Sequence, residues 1–229
     1  MNSARIQENL TQVQQRIAGT AAQAGRERSE ILLLAVSKTR PAEDILAAHQ
    51  AGQVAFGENY VNEAIDKIEV LSDYPLEWHY IGGIQSNKTR LIAAHFSWVH
   101  TIASLKHAKR LDEQRPADLP RLNICIQVNI SHETSKGGVP EDEVLPLARE
   151  IVRFSRLKLR GLMALPAPTG DVEKQRKNFG ILRKLKEMLH TEGIALDTLS
   201  MGMSADMEAA IAEGATIVRV GTAIFGPRT

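Results

Sequence analysis

Eight times along the chain a short apolar run gives way to an amphipathic stretch, and this strict alternation limits the fold more than any other feature. The run ILLLAV at residues 31–36 is continuous apolar sequence, too short for a lone helix and typical of a parallel strand covered on both faces. Pro41 opens the helix after it. Residues 54–57, 77–82 and 98–102 repeat the phrase, followed by helices through Val61, Ile65 and Ile68, from about Asn87, and through Leu105 and Leu111. Residues 122–129, 157–164, 198–200 and 215–221 complete the set, with intervening helices that start at Pro140, Asp171 and Met203. Ahead of the first strand, Leu10, Val13, Ile17 and Ala21 recur at helical spacing and predict a lead-in helix closed near Gly25. Alternation of this kind implies parallel strands joined by right-handed crossovers, and eight units close into a barrel more readily than they make an open sheet. The expected fold is α/β: a single (β/α)8 TIM-type barrel with an extra N-terminal helix, one domain over residues 1–229. An open doubly wound sheet is its rival.

Composition removes several function classes. The formal net charge is +1, from 28 basic and 27 acidic side chains, and there are only two Trp, three Tyr and five Phe. Such a chain has neither the field to hold a polyanion nor many faces on which bases stack, so no nucleic-acid partner is expected. Cys125 is the single cysteine; its apolar neighbours suit a buried thiol in a reducing compartment. The N-terminus shows neither a signal peptide nor a membrane span, so a cytoplasmic location without membrane partners is expected. One cysteine excludes a cysteine-rich zinc site, and His132-Glu133 lacks the second histidine of a zinc-protease helix, so no metal is expected. P-loop, dinucleotide and nucleophile-elbow signatures are absent as well.

In a barrel the active site lies at the C-terminal strand ends, and phosphate is often held after strands seven and eight. Strand one ends at Ser37-Lys38; a lysine there is either a solvated charge or, when desolvated, a Schiff-base amine. Strand eight ends Val218-Arg219-Val220-Gly221-Thr222, and its period of two sets Arg219 on the face opposite the valines, toward the barrel mouth. A buried arginine needs either a structural carboxylate or a ligand atom. Gly221 and Thr222 offer an anion cradle, or else a plain strand-ending turn. After strand seven, Ser200, Met203 and Ser204 lie in a small-residue loop that leads into a helix; Ser204 is either its N-cap or an anion contact. Asn59 is a candidate for a ring hydroxyl or a helix cap. His79 and Met163 are candidates for the mouth or for the core. Residues 129–138 read as a polar lid that contains Lys136. Barrel closure makes strand one the neighbour of strand eight, so Lys38 faces Arg219 and the Gly221-Thr222 turn. A Schiff-base lysine, a phosphate cradle and an inward cation describe a pocket for pyridoxal phosphate. An arginine at the pyridine nitrogen keeps that nitrogen neutral and weakens carbanion chemistry.

Six blocks carry a wider resemblance: LAVSKT from Leu34, FGENY from Phe56, WHYIGGIQSNK from Trp78, RGLM from Arg160, SMGMSADMEAAI from Ser200 and VRVGTAIFG from Val218. Together and in this order they resemble the pyridoxal-phosphate homeostasis proteins, which are related to the N-terminal domain of alanine racemase. The resemblance implies that Lys38 is the aldimine lysine and that Arg219 faces the pyridine nitrogen. It also implies phosphate contacts from the Ser204 loop, Gly221 and Thr222. The cofactor candidates are therefore Lys38, Asn59, His79, Met163, Ser200, Met203, Ser204, Arg219, Gly221 and Thr222. The expected role is storage, buffering or delivery of pyridoxal 5′-phosphate, with effects on amino- and keto-acid metabolism and with apo-enzymes as acceptors. A monomer is expected. A weak amino-acid racemase is the alternative, although the β-domain that supplies the second base in alanine racemase has no counterpart before Thr229. A Schiff-base aldolase for a phosphosugar ranks below both.

Overall fold

A computed structural model describes residues 3–131 and 137–227. Its eight strands are β1 (Leu32–Val36), β2 (Ala55–Glu58), β3 (Glu77–Tyr80), β4 (Trp98–Ile102), β5 (Leu122–Val128), β6 (Leu157–Ala164), β7 (Thr198–Ser200) and β8 (Ile217–Val220). They run parallel in sequence order and close, with Leu32 opposite Ile217 and Ala35 opposite Val220. The alternating apolar faces explain why. Leu33, Ala35, Phe56, Ile124, Ile126, Val218 and Val220 pack outward into the layer shared with the helices. Leu34, Ala55, Trp98, Cys125, Met163 and Ile217 form a separate cluster inside the barrel. Gly161 permits the β6–β7 approach, since a Cβ there would lie 1.8 Å from the Thr198 carbonyl oxygen.

The helices are α1 (Ser3–Gln23), α2 (Ala42–Gln50), α3 (Val61–Val70), α4 (Thr89–His95), α5 (Leu105–Gln114), α6 (Val144–Ile151), α7 (Val172–Thr191), α8 (Met207–Ala212) and α9 (Thr222–Phe225). The lead-in helix is α1: Ile6, Leu10, Val13, Ile17 and Ala21 are all buried, against α2, α8 and α9. Burying such aliphatic side chains stabilises by roughly 1.5–3 kcal/mol each for the larger ones. Pro41 and Asp171 stand at the N-caps of α2 and α7, and the Asp171 carboxylate accepts from the Glu173 and Lys174 amides.

Three details depart from the periodic pattern. After Pro140 the chain makes a 3-10 turn over Glu141–Glu143 before α6 begins. The helix after β7 starts at Met207 instead of Met203, because the Asp206 carboxylate takes the Met203 amide at 2.6 Å and folds the intervening residues into a turn. Ser204 is therefore not a helix cap. The short α9, directly after β8, has too few residues to show a period. Among the described residues no helix is long and apolar enough to cross a membrane.

Candidate functional site

Lys38 is half-buried just past the end of β1, and the peptide groups on both sides of it are clamped by one ion-pair cluster. The Lys67 ammonium, on α3, donates to the Ser37 carbonyl (2.9 Å), to Glu58 Oε1 (2.7 Å) and to Glu63 Oε1 (2.6 Å). Ser37 Oγ donates to the same Glu58 oxygen at 2.7 Å, and the Thr39 amide donates to Glu63 Oε1 at 2.6 Å. Thr39 holds φ at 63°, a left-handed conformation that a β-branched residue rarely adopts. Glu58 is fully buried, and burial pushes its carboxyl up despite the Lys67 charge; its Oε2 has no partner. The sequence reading missed Lys67, Glu58 and Glu63, because Lys67 looks like an ordinary surface charge on an amphipathic helix.

Across the β1–β8 seam, Val36, Lys38, Arg40, Gly221, Thr222 and Gly226 line one small cavity of about 40 Å³. Gly221 sits close against β1: a Cβ there would lie 3.1 Å from the Val36 carbonyl oxygen. Thr222 and Ala223 begin α9, where amides lack intrahelical partners. Barrels often hold phosphate at such a short helix after strand eight. Arg40 closes the rim by donating to the carbonyls of Gly226 (2.6 Å) and Pro227 (2.7 Å). The neighbouring loop turns at Gly202, whose φ is 91° and whose added Cβ would meet Ala210 Cβ at 2.5 Å. Arg16 from α1 holds this loop through the Ser204 carbonyl (3.3 Å) and Glu208 (2.7 Å).

Arg219 lies below this rim, 4% exposed. Its Nη1 donates to the Ser200 carbonyl (2.6 Å) and to Ser200 Oγ (2.7 Å), and its Nη2 donates to the Ala164 carbonyl (2.9 Å). No carboxylate hydrogen-bonds it among the described residues, so of the two expected solutions the structural ion pair is not the one used. Burial pushes the guanidinium down to about 10, against the opposing pull of the Asp206 charge.

A polar chain continues beneath it. Ser200 Oγ is 2.8 Å from His100 Nδ1, His100 Nε2 is 2.9 Å from His79 Nδ1, and His79 Nε2 is 2.6 Å from Glu77 Oε1. Both imidazoles have no exposure. His79 stacks on Trp98 with ring centroids 5.3 Å apart. Desolvation lowers both histidines, His100 well below its ordinary value. His79 thus lies inside the barrel, two hydrogen bonds removed from Ser200. His100 escaped the sequence reading, although it sits two residues after Trp98 on an inward-facing strand position, the same signal that drew attention to Arg219.

The remaining candidates separate. Met163 is fully buried in the inner apolar cluster with Leu34, Cys125 and Ile217. Asn59 does not cap α3, whose N-cap is Tyr60 without a side-chain bond. Its Oδ1 is buried without a partner, and Gly82 packs so closely that a Cβ there would lie 2.0 Å from the Asn59 carbonyl oxygen. Asn59 also borders a separate cavity of about 330 Å³ with Tyr80, Gly83 and Lys88. Lys136 lies outside the described residues. A larger cavity, about 730 Å³, opens at the opposite end of the barrel, between Arg28, Gln53, Trp98, Arg160 and Asp197. The strand-end chemistry is not there.

A closed parallel barrel with a clamped lysine after its first strand, facing a glycine-threonine turn after its eighth, defines a barrel of the alanine racemase N-terminal class. Residues 1–229 match the family model "Alanine racemase, N-terminal domain". The pyridoxal phosphate homeostasis protein of Pseudomonas aeruginosa is 53% identical over 223 residues, 97% of this chain and 96% of that protein. The Escherichia coli K12 protein of the same name is 52% identical over 229 residues, 97% of each. Among solved structures, PipY of Synechococcus elongatus PCC7942 superposes with a TM-score of 0.86 without PLP, at 35% identity, covering 96% of this chain and all of PipY. PipY with PLP bound gives 0.80, covering 92% and 100%. Alanine racemase from Corynebacterium glutamicum, 18% identical, shares the fold over 99% of this chain and 61% of its own, with a TM-score of 0.74. The chain belongs to the alanine racemase N-terminal domain family and, within it, to the pyridoxal phosphate homeostasis proteins.

Proposed function

We propose that this protein binds pyridoxal 5′-phosphate at the barrel mouth and serves intracellular homeostasis of that cofactor, by storing, buffering or delivering it. The observation that carries the reading is the convergence of Lys38, Gly221 and Thr222 on one cavity. The donor set fits the group: an amine for an aldehyde, backbone amides and a hydroxyl for a phosphate, and a buried unpartnered acceptor at Asn59 Oδ1 for a ring hydroxyl. The related PipY was solved with PLP bound, which supports the same assignment here.

When bound, pyridoxal phosphate offers its aldehyde to an amine and its ring as an electron sink. Lys38 would be the amine that holds it, and the Lys67 cluster fixes the backbone on both sides of that lysine. Gly221 and Thr222, with Met203 and Ser204 of the neighbouring loop, would hold the phosphate. Arg219 would meet the ring nitrogen as a donor that keeps its own proton, since even the lowered guanidinium remains charged at neutral pH. A carboxylate there would accept from a protonated ring nitrogen and keep it charged; the arginine would leave it neutral, which weakens the sink and suits holding over turnover. His79 and Met163 would act only from beneath the site, within the barrel interior, where Ser200 bonds Arg219.

Racemisation needs an acid or base on each side of the reacting carbon. A weak racemase acting through Lys38 is the alternative reading, and exchange of the α-hydrogen of single-enantiomer amino acids by the loaded protein would favour it over a carrier. The reading takes the chain as one domain, a cytoplasmic monomer whose acceptors are apo-enzymes. The test is a visible spectrum before and after borohydride reduction, with peptide mapping. A yellow protein bleached by reduction, with the adduct on Lys38, is expected; a protein that stays colourless and unmodified in excess pyridoxal phosphate overturns the reading. Activation of an apo-enzyme beyond that from free cofactor tests delivery.

A further inference from the structure

Four buried side chains, His79, His100, Ser200 and Arg219, form a hydrogen-bonded chain through the barrel that runs from the half-exposed Glu77 at the start of β3 to Arg219 at the mouth, and its two ends dictate where every proton sits. A guanidinium only donates, so Ser200 Oγ accepts from Arg219 at 2.7 Å. The serine proton then goes to its other partner, His100 Nδ1, at 2.8 Å. An imidazole that accepts at Nδ1 carries its proton on Nε2, so His100 donates to His79 Nδ1 at 2.9 Å. His79 likewise accepts at Nδ1 and donates from Nε2 to Glu77 Oε1 at 2.6 Å. A carboxylate only accepts, and the chain ends. Reversing any one bond leaves a buried hydroxyl or imidazole N–H without an acceptor, a cost of about 1–3 kcal/mol.

We propose that His100, and His79 behind it, are positioning residues for Arg219: they fix the Ser200 hydroxyl as an acceptor and so hold the guanidinium in one place and orientation, from which it would meet the ring nitrogen. The backbone alone does not do this. The Ser200 and Ala164 carbonyls anchor two guanidinium nitrogens, but each carbonyl tolerates a broad fan of donor directions, whereas a hydroxyl pinned by an imidazole selects one. Trp98, stacked nearly parallel on His79 at 5°, keeps that ring from tilting out of line. The Glu77 side chain is 43% exposed, so the anion that terminates the chain keeps its hydration while the links stay dry.

The inference rests on the cofactor reading for its functional half only, and its test separates the two. In the full chain without cofactor, nitrogen NMR of ¹⁵N-histidine-labelled protein should show Nε2–H tautomers for His79 and His100. A through-hydrogen-bond nitrogen–nitrogen coupling should join His100 Nε2 to His79 Nδ1. Absence of that coupling in folded protein overturns the chain. With pyridoxal phosphate, His100→Phe removes the acceptor for Ser200, and Ser200→Ala breaks the chain one link nearer the arginine. Both should weaken binding about tenfold, the size of one hydrogen bond to a charged group, and shift the bound cofactor's absorption band in the same direction. His100→Gln, whose carbonyl still accepts from Ser200, should restore most of the affinity and the band. Parent-like affinity and spectrum in His100→Phe and Ser200→Ala overturn the positioning role. If the parent itself forms no Lys38 adduct while the nitrogen coupling is present, the cofactor reading fails and the chain stands.

Discussion

The Lys67 ammonium donates a 2.9 Å hydrogen bond to the backbone carbonyl of Ser37, the residue that precedes Lys38. A side chain 30 positions away thus sets the direction in which β1 delivers its terminal lysine. The same ammonium neutralises Glu58, which is fully buried. Lys67→Met leaves that carboxylate without its cation and should cost roughly 3–5 kcal/mol. Urea unfolding of the variant checks this, and a midpoint equal to the parent's contradicts it. Adding Glu58→Leu should recover most of the loss, because an apolar pair of similar volume is often no worse than a buried ion pair.

Thr39 is the one described non-glycine residue with positive φ. Its strain is of order 1–3 kcal/mol, against roughly 1 kcal/mol of added backbone entropy for a glycine in the unfolded chain. Thr39→Gly should therefore be neutral or stabilising, unlike most threonine-to-glycine changes. Thermal unfolding decides it; a loss above about 1 kcal/mol would mean that the Thr39 side chain makes a compensating contact.

His79 and His100 have depressed values in the folded state, so near pH 6 the unfolded chain binds protons that the native state refuses. Their contribution to stability is complete above about pH 6.5 and is lost as pH falls below it. The slope approaches about 1.4 kcal/mol per pH unit for each histidine. Stability measured from pH 7.5 down to 5 should decline accordingly, and His100→Phe should flatten the decline. A parent curve that rises on acidification over that range would refute the neutral chain.

Lys38 is half-buried and outside the apolar clusters. Lys38→Ala should abolish the reducible yellow adduct while changing stability by less than about 1 kcal/mol. Thr222→Val, which keeps shape but removes the hydroxyl, should leave the adduct possible and weaken cofactor binding by about tenfold. Equal affinity in Thr222→Val would remove Thr222 from the phosphate cradle.

Cys125 is fully buried inside the barrel, and burial pushes its thiol up to about 12. Folded protein should resist alkylation at neutral pH, with labelling appearing only as the chain unfolds. Rapid stoichiometric labelling of native protein would show that the inner cluster is open to solvent.

Much of the fold is legible in single elements. Leu33 and Leu34 part to opposite faces of β1 because strand periodicity is two, and α1 buries every residue that its period picks out. The same rule turned Arg219 inward, and closure brought Lys38 beside Gly221. Local chemistry was a poorer guide where two readings shared one residue. Ser204 reads as a helix cap until the Asp206 carboxylate is seen to delay the helix, and Asn59 reads as another until Tyr60 takes that place.

What the sequence determined by itself was the barrel, its strand order and the pair of strand ends that meet at the seam, since alternation and closure depend only on what each segment buries. What the tertiary structure alone decided was which polar groups share a proton or a charge. His100 and Ser200 are 100 residues apart and Lys67 and Ser37 are 30 apart; whether they touch depends on the height of each inward-facing residue along the barrel axis. That height is set by the stagger between neighbouring strands, which emerges only when all eight pack around one core.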